Sequence, residues 1–184
     1  MGKNLKYGLI ILGVLIVVYV LNTIGQNTYT STTSSMFTGE IEDIAKFVIN
    51  KNSDQLEIVK VDTTWQITDH DTLVIKKSSI DNLFNKVLKV KKGTILSTNP
   101  EKWNKYSVDD STGTHLYLFN YADEELGHFV FGSSKADYSR NNLRIPEDNS
   151  VYQTDQNVVW NLSTRSSYWG QKPKPPEPET IQPN

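Results

Sequence analysis

The chain has 184 residues, three histidines, no cysteine and a formal net charge of −2. Without cysteine it has no disulfide framework, iron–sulfur cluster, Cys-ligated zinc or acylated lipoprotein anchor. Leaving out Lys3 and Lys6, which precede the first apolar run, brings the remainder to about −4, so no electrostatic case exists for nucleic acid or anionic lipid.

Tyr7 to Ile24 run YGLIILGVLIVVYVLNTI without a charge, and the next charge is Glu40. Eighteen to twenty helical residues reach roughly 27 to 30 Å, the thickness of bilayer hydrocarbon. The run therefore predicts a single membrane anchor over residues 1–25, with Tyr7, Leu9, Ile10, Leu12, Leu15, Val18, Leu21 and Ile24 facing lipid. A cleaved signal peptide fits less well, because the apolar stretch is too long and Asn22 to Gln26 offers no small-x-small cleavage pattern. Basic residues precede the span and none follows until Lys46, which places the N-terminus in the cytoplasm and the domain outside. The expected location is the cytoplasmic (inner) membrane of a prokaryote.

Residues 26–38 are rich in Ser, Thr and Asn and read as a polar tether. Beyond it, Ile44 to Ile49, Gln55 to Lys60 and Thr64 to Thr68 read as a three-stranded meander. Its turns, Lys51 to Asp54 and Val61 to Thr64, carry side chains able to bond their own backbone.

Ser79 to Lys91 predict a helix, since Ile80, Leu83, Phe84, Val87 and Leu88 form one apolar stripe. Ser78 or Ser79 would cap its start, and the lysines before Gly93 suit its negative end. A second helix is expected from Asn99-Pro100-Glu101, with Asn99 as the cap and Trp103 and Tyr106 facing inward. Thr114 to Asn120 and Leu126 to Gly132 then predict a hairpin around Ala122 to Glu125. Asn142 to Ile145 and Val151 to Thr154 predict two further strands. The order β-β-β-α-α-β-β-β-β is that of an α+β domain over residues 39–171, with two helices on a mostly antiparallel sheet. Residues 172–184 hold five of the seven prolines and read as an extended tail.

Candidate chemistry is sparse. His70 between Asp69 and Asp71 reads as a polar turn, and His115 and His128 read as exposed histidines on paired strands, without a third ligand for zinc. No nucleophile elbow is present, and Ser133-Ser134-Lys135 lacks the spacing of a lactamase-type nucleophile. The pairs Asp109-Asp110 and Glu124-Glu125 are neighbours in turns, where carboxylates are usually just solvated. No catalytic residue, cofactor or metal is therefore predicted. Trp65 and Trp103 read as core, whereas Tyr168 and Trp169, beside the tail and flanked by polar residues, read as a partner contact.

Several stretches together resemble a family known as domain of unknown function 4340. They are Ile41-Glu42-Asp43-Ile44 leading to Trp65-Gln66-Ile67, the helix Ile80 to Leu88, and Asn99 to Asp110. The strand pair closing on Gly132, Leu143-Arg144-Ile145-Pro146, Val151-Tyr152 and Ser163 to Trp169 complete the pattern. Within it, Ser107 stands where the family's Tyr-Gly-(Leu/Val)-Asp signature has glycine. The resemblance implies a domain anchored by one N-terminal helix, exposed outside the membrane and often associated with ABC transporter systems like the gliding-motility auxiliary components. It supplies no catalytic residues. The expectation is a non-enzymatic accessory or structural subunit of an envelope complex, with other envelope proteins as partners. The alternative is a membrane-tethered module that binds a glycan or peptide through exposed aromatics.

Overall fold

A computed structural model of the protein describes Tyr7, residues 11–20 and residues 34–173. Residues 11–20 are helical, and Leu12, Leu15 and Val18 are exposed, as is Tyr7. Leu9, Ile10, Leu21 and Ile24 of the expected anchor lie outside the described residues, as do residues 174–184 of the expected tail. Among the described residues no helix is long and apolar enough to cross a membrane.

The meander forms as its pattern predicts. Strands β2 (Lys46–Lys51), β3 (Asp54–Val61) and β4 (Thr64–Ile67) pair antiparallel through two-residue loops. Asn52 and Asp62 open these loops at φ 55° and 54°, a left-handed conformation that Asn and Asp tolerate better than most residues. Period-two alternation puts Phe47, Ile49, Leu56, Ile58 and Ile67 on one face, all buried. The ladder sets Phe47 opposite Ile58 and Ile49 opposite Leu56.

The hairpin also forms, as β7 (Thr114–Phe119) and β8 (Glu125–Ser133), followed by β9 (Asn141–Arg144) and β10 (Val151–Thr154). Together with β1 (Ser34–Ser35) and β6 (Lys91–Ser97), these strands make a nine-stranded sheet of order β1-β6-β10-β9-β8-β7-β2-β3-β4. Every neighbouring pair is antiparallel. A separate two-stranded ladder joins β5 (Val74–Ile75) to β11 (Gly170–Gln171). The architecture is thus sheet-rich α+β.

The helical elements depart from expectation. Helix α1 (Lys77–Asn82) starts earlier than the apolar stripe and continues into a π turn, Leu83–Val87, closed by the Leu88 N–H on Leu83 O at 3.0 Å. Ile80, Leu83, Val87 and Leu88 are buried, while Phe84 is half-buried with its ring 5.6 Å from Trp65. The expected extension to Lys91 does not form. Lys91 to Ser97 instead carry β-branched Thr94 and Ile95 and pair with β10, a case of sheet pairing overriding helical propensity. Ser79 is not a cap; it is buried inside α1, and its hydroxyl donates to Tyr168 O at 2.8 Å.

The second expected helix is two 3-10 turns, Pro100–Lys102 and Asn104–Tyr106. Asn99 caps the first as predicted, accepting from the Glu101 N–H at 3.0 Å. Ser107 ends the second in a left-handed conformation (φ 55°, ψ 37°), the backbone state that only glycine adopts without steric cost.

The expected tether ends earlier than residue 38. Ser34–Ser35 pair with β6, and Met36 and Phe37 are buried, Phe37 meeting Phe129 edge-on. Two residues are too few for alternation to reveal a strand. Helix α2 (Ser166–Trp169) leads into β11, and Trp169 is 0% exposed, its ring 5.2 Å from that of Phe47. The main core therefore lies between one sheet face, which we call inner, and the helical segments that close it.

Candidate functional site

The outer face of the same strands carries a different chemistry. Register aligns Asn50, His115, Val130, Arg144 and Val151 in one row across β2, β7, β8, β9 and β10. A parallel row sets Val48 opposite Tyr117 and Tyr117 opposite His128. Val108, Val130 and Val151 form a small apolar cluster, with Trp103 and Tyr106 of the 3-10 turns packed over it. The turns come this close because Gly132 lacks a side chain: a Cβ there would sit 2.2 Å from Tyr106 O and 2.6 Å from Ser107 O.

Arg144 is the centre of the arrangement. Its side chain is 4% exposed, and its Nε–H donates to Val108 O at 2.7 Å. One Nη2–H donates to Asp110 Oδ1 at 2.6 Å, and the guanidinium lies 4.1 Å from the Trp103 ring centre. A desolvated cation needs such partners, and a carboxylate, a carbonyl and an aromatic face together supply them. Asp110 is 83% exposed, so the ion pair reaches from the interior to solvent. Its loop is held by Asp109, whose carboxylate accepts from the backbone and hydroxyls of Ser111 and Thr112. Burial pushes the Asp109 pKa up, but those hydrogen bonds outweigh it and hold the group at about 2.

Beside Arg144 lie the two histidines. His115 Nδ1 and His128 Nε2 are 3.0 Å apart, and the His128 ring stacks on Tyr117 with centroids at 3.9 Å. The expectation of exposed strand histidines is corrected: His115 is buried and His128 half-buried. Burial lowers both pKa values. His128 falls to about 4, with the neighbouring His115 and Arg144 adding to the effect; His115 is lowered further by Arg144. The backbone of Asp109 and Asp110 partly offsets the shift at His115, yet no hydrogen bond of normal geometry reaches its Nε2. At neutral pH both rings are uncharged. Together with Asn50, Asp110, Tyr117 and Arg144 they line an open pocket of roughly 440 Å³.

The other residues singled out in the sequence lie elsewhere. Asp69 is left-handed at φ 62°, and the His70 carbonyl accepts from the Leu73 N–H, so Asp69 to Asp71 form a turn. Among the described residues no group of three His, Asp or Glu side chains is placed to hold a metal ion. Asn120 donates to Glu124 in the β7–β8 turn, and Ser134 is buried, accepting from the Asp137 N–H. Of Tyr168 and Trp169, read from the sequence as a partner contact, Trp169 does not reach the surface. Trp169 is enclosed, its Nε1–H donating to Ser163 O at 2.7 Å, and half-buried Tyr168 accepts from Asn161. The most exposed aromatic rings of the domain are instead Tyr121, Tyr138 and Trp160.

Sequence reasoning missed Asn50, Tyr117 and Arg144. The available signal was the alternation itself: once His115 and His128 occupy facing strands, their outward neighbours Tyr117 and Val130 share their face.

No curated protein and no solved structure matches the chain. One family model does, described as Domain of unknown function (DUF4340), over residues 65–181. The match spans β4 to β11, with both histidines and Arg144, while β2, β3 and Asn50 precede it. On this match, the chain belongs to the DUF4340 family.

Proposed function

We propose that the protein is a single-pass, membrane-anchored accessory subunit of an envelope assembly, with its folded domain on the extracytoplasmic side. The supporting observation is the helix at residues 11–20, in which Ile11, Leu12, Val14, Leu15, Ile16, Val17, Val18 and Val20 are all exposed. Successive helical residues are rotated by about 100°, so these side chains surround the axis rather than forming one stripe. A helix that is apolar all round is stable where lipid or another protein covers it. With Lys3 and Lys6 before the run, the positive-inside rule keeps the N-terminus cytoplasmic. The resemblance to transporter-associated domains favours a transport-related assembly. The proposed role is non-enzymatic.

Membrane fractionation of the full chain tests the anchor. The protein is expected to stay with membranes through an alkaline carbonate wash, and external protease should digest its domain in spheroplasts. Release by carbonate, or a domain protected from the protease, overturns the reading.

A further inference from the structure

We propose that the outer-face pocket is a binding site for an uncharged, hydroxyl-rich ligand of the saccharide class. The proposal does not depend on whether residues 11–20 enter a membrane.

The pocket holds hydrogen-bonding groups that the fold leaves unused. The Asn50 side chain makes no hydrogen bond among the described residues; its Oδ1 is buried without a partner. Its Nδ2 is not among the buried unpaired atoms and so keeps contact with solvent. Arg144 spends Nε and Nη2 on Val108 and Asp110, leaving Nη1 without a partner among the described residues. Asp110 likewise uses Oδ1 and leaves Oδ2. An unused donor and an unused acceptor therefore belong to one ion pair, already fixed by Val108 and Trp103. Preorganised groups of this kind lose little entropy when a ligand docks.

Charge decides the ligand class. Arg144 and Asp110 cancel, and both histidines are neutral at pH 7, so the lining carries no spare charge. An anion approaching Nη1 meets the Asp110 carboxylate, and a cation approaching Oδ2 meets the guanidinium. A hydroxyl satisfies both, accepting from Arg144 Nη1 while donating to Asp110 Oδ2. A second hydroxyl on the same ring can accept from Asn50 Nδ2. The Tyr117 ring, half-buried on His128, supplies apolar wall for the C–H face of a sugar. The volume of roughly 440 Å³ lies within the range of small-molecule sites.

The test uses the full chain in a detergent without a sugar headgroup, with imidazole NMR signals as the readout. His115 and His128 report on the pocket, and His70, which does not line it, is the internal reference. The probes are cellobiose, maltose and N-acetylglucosamine, against galacturonate and inorganic phosphate. At least one neutral sugar is expected to shift His115 and His128 saturably and leave His70 in place. Asn50→Ala and Asp110→Asn should each raise its Kd about tenfold, the loss of one good hydrogen bond. The proposal is overturned if no neutral sugar shifts the pair at about 20 mM, a weak-binding limit. It is equally overturned if galacturonate or phosphate saturates at lower concentration, or if both Asn50→Ala and Asp110→Asn leave sugar affinity unchanged.

Discussion

The two faces of the sheet are built from the same strands and obey opposite rules. The inner face is largely hydrocarbon, in which Phe47, Ile49, Leu116, Leu118 and Phe131 pack with Trp169 at almost no exposure, with buried Thr114 and Asn141 among its few polar members. The outer face has one small apolar cluster of three valines, and beside it a buried arginine and a histidine pair. Dispersion and apolar burial are non-directional, so the inner face tolerates imprecise placement provided its volume is filled. Polar groups on the outer face are useful only at fixed distances, which is why Gly132, Trp103 and the Asp109 turn hold Arg144 so closely. Stability therefore resides mainly on one side, and chemical selectivity on the other.

Substitutions sharpen this contrast. The largest loss is expected for Trp169→Ala on the inner face, about 3 to 5 kcal/mol by chemical denaturation, because a whole indole leaves a closed core. A loss under about 1 kcal/mol would show that the ring is not enclosed. On the outer face Arg144→Met should cost less, about 1 to 3 kcal/mol, since it orphans the Val108 carbonyl but leaves an exposed Asp110. Equal losses at the two positions would erase the distinction between the faces.

Acid should weaken the outer face selectively. Burial depresses the folded-state pKa of His128 from 6.5 to about 4 and also lowers that of His115. Between these values the unfolded chain binds protons that the folded domain refuses. Stability is thus fullest above about pH 6.5 and is lost as pH falls towards about 4. His128→Gln should flatten the difference between unfolding midpoints measured near pH 7 and near pH 4.5. An unchanged pH dependence in that variant would refute the pair's role. The smallest effect is a gain: Ser107→Gly should raise the thermal midpoint by a few degrees, worth up to about 1 kcal/mol, by relieving the left-handed serine.

The sequence reveals what repeats and hides what happens once. Alternation marks the meander, the β7–β8 hairpin and the strands at Asn142 and Val151, because four or more residues suffice to define a face. Asn99-Pro100-Glu101 marks a cap correctly, yet cannot say that Ser107 stops the turn seven residues after Pro100. The stripe from Ile80 to Leu88 identifies a buried helical face but not the π turn, which ends on the Leu88 N–H to Leu83 O hydrogen bond. β1, β5 and β11 are each two residues long, too short for any period. The candidate site was legible in part. His115 and His128 stand out as rare residues on facing strands, whereas Arg144 looks like an ordinary surface charge until register sets it across from Val130 and beneath Trp103. Trp169 misled for the converse reason: its neighbours are polar, and the ladder of Gly170 with Ile75, which seats it, joins residues far apart in the chain.

The junction at Ser34 also has a mechanical meaning. Tension along the backbone from residues preceding Ser34 enters the domain at the outermost strand of the sheet, where β1 grips β6 through two residue pairs. That short ladder is the first to peel, and it yields without disturbing the strands behind the histidine pair. The next stop is the Met36 N–H bound to Val90 O, with Phe37 seated against Phe129 like a latch. A pull of this kind can lengthen the chain ahead of the domain by a few residues before the core bears any load.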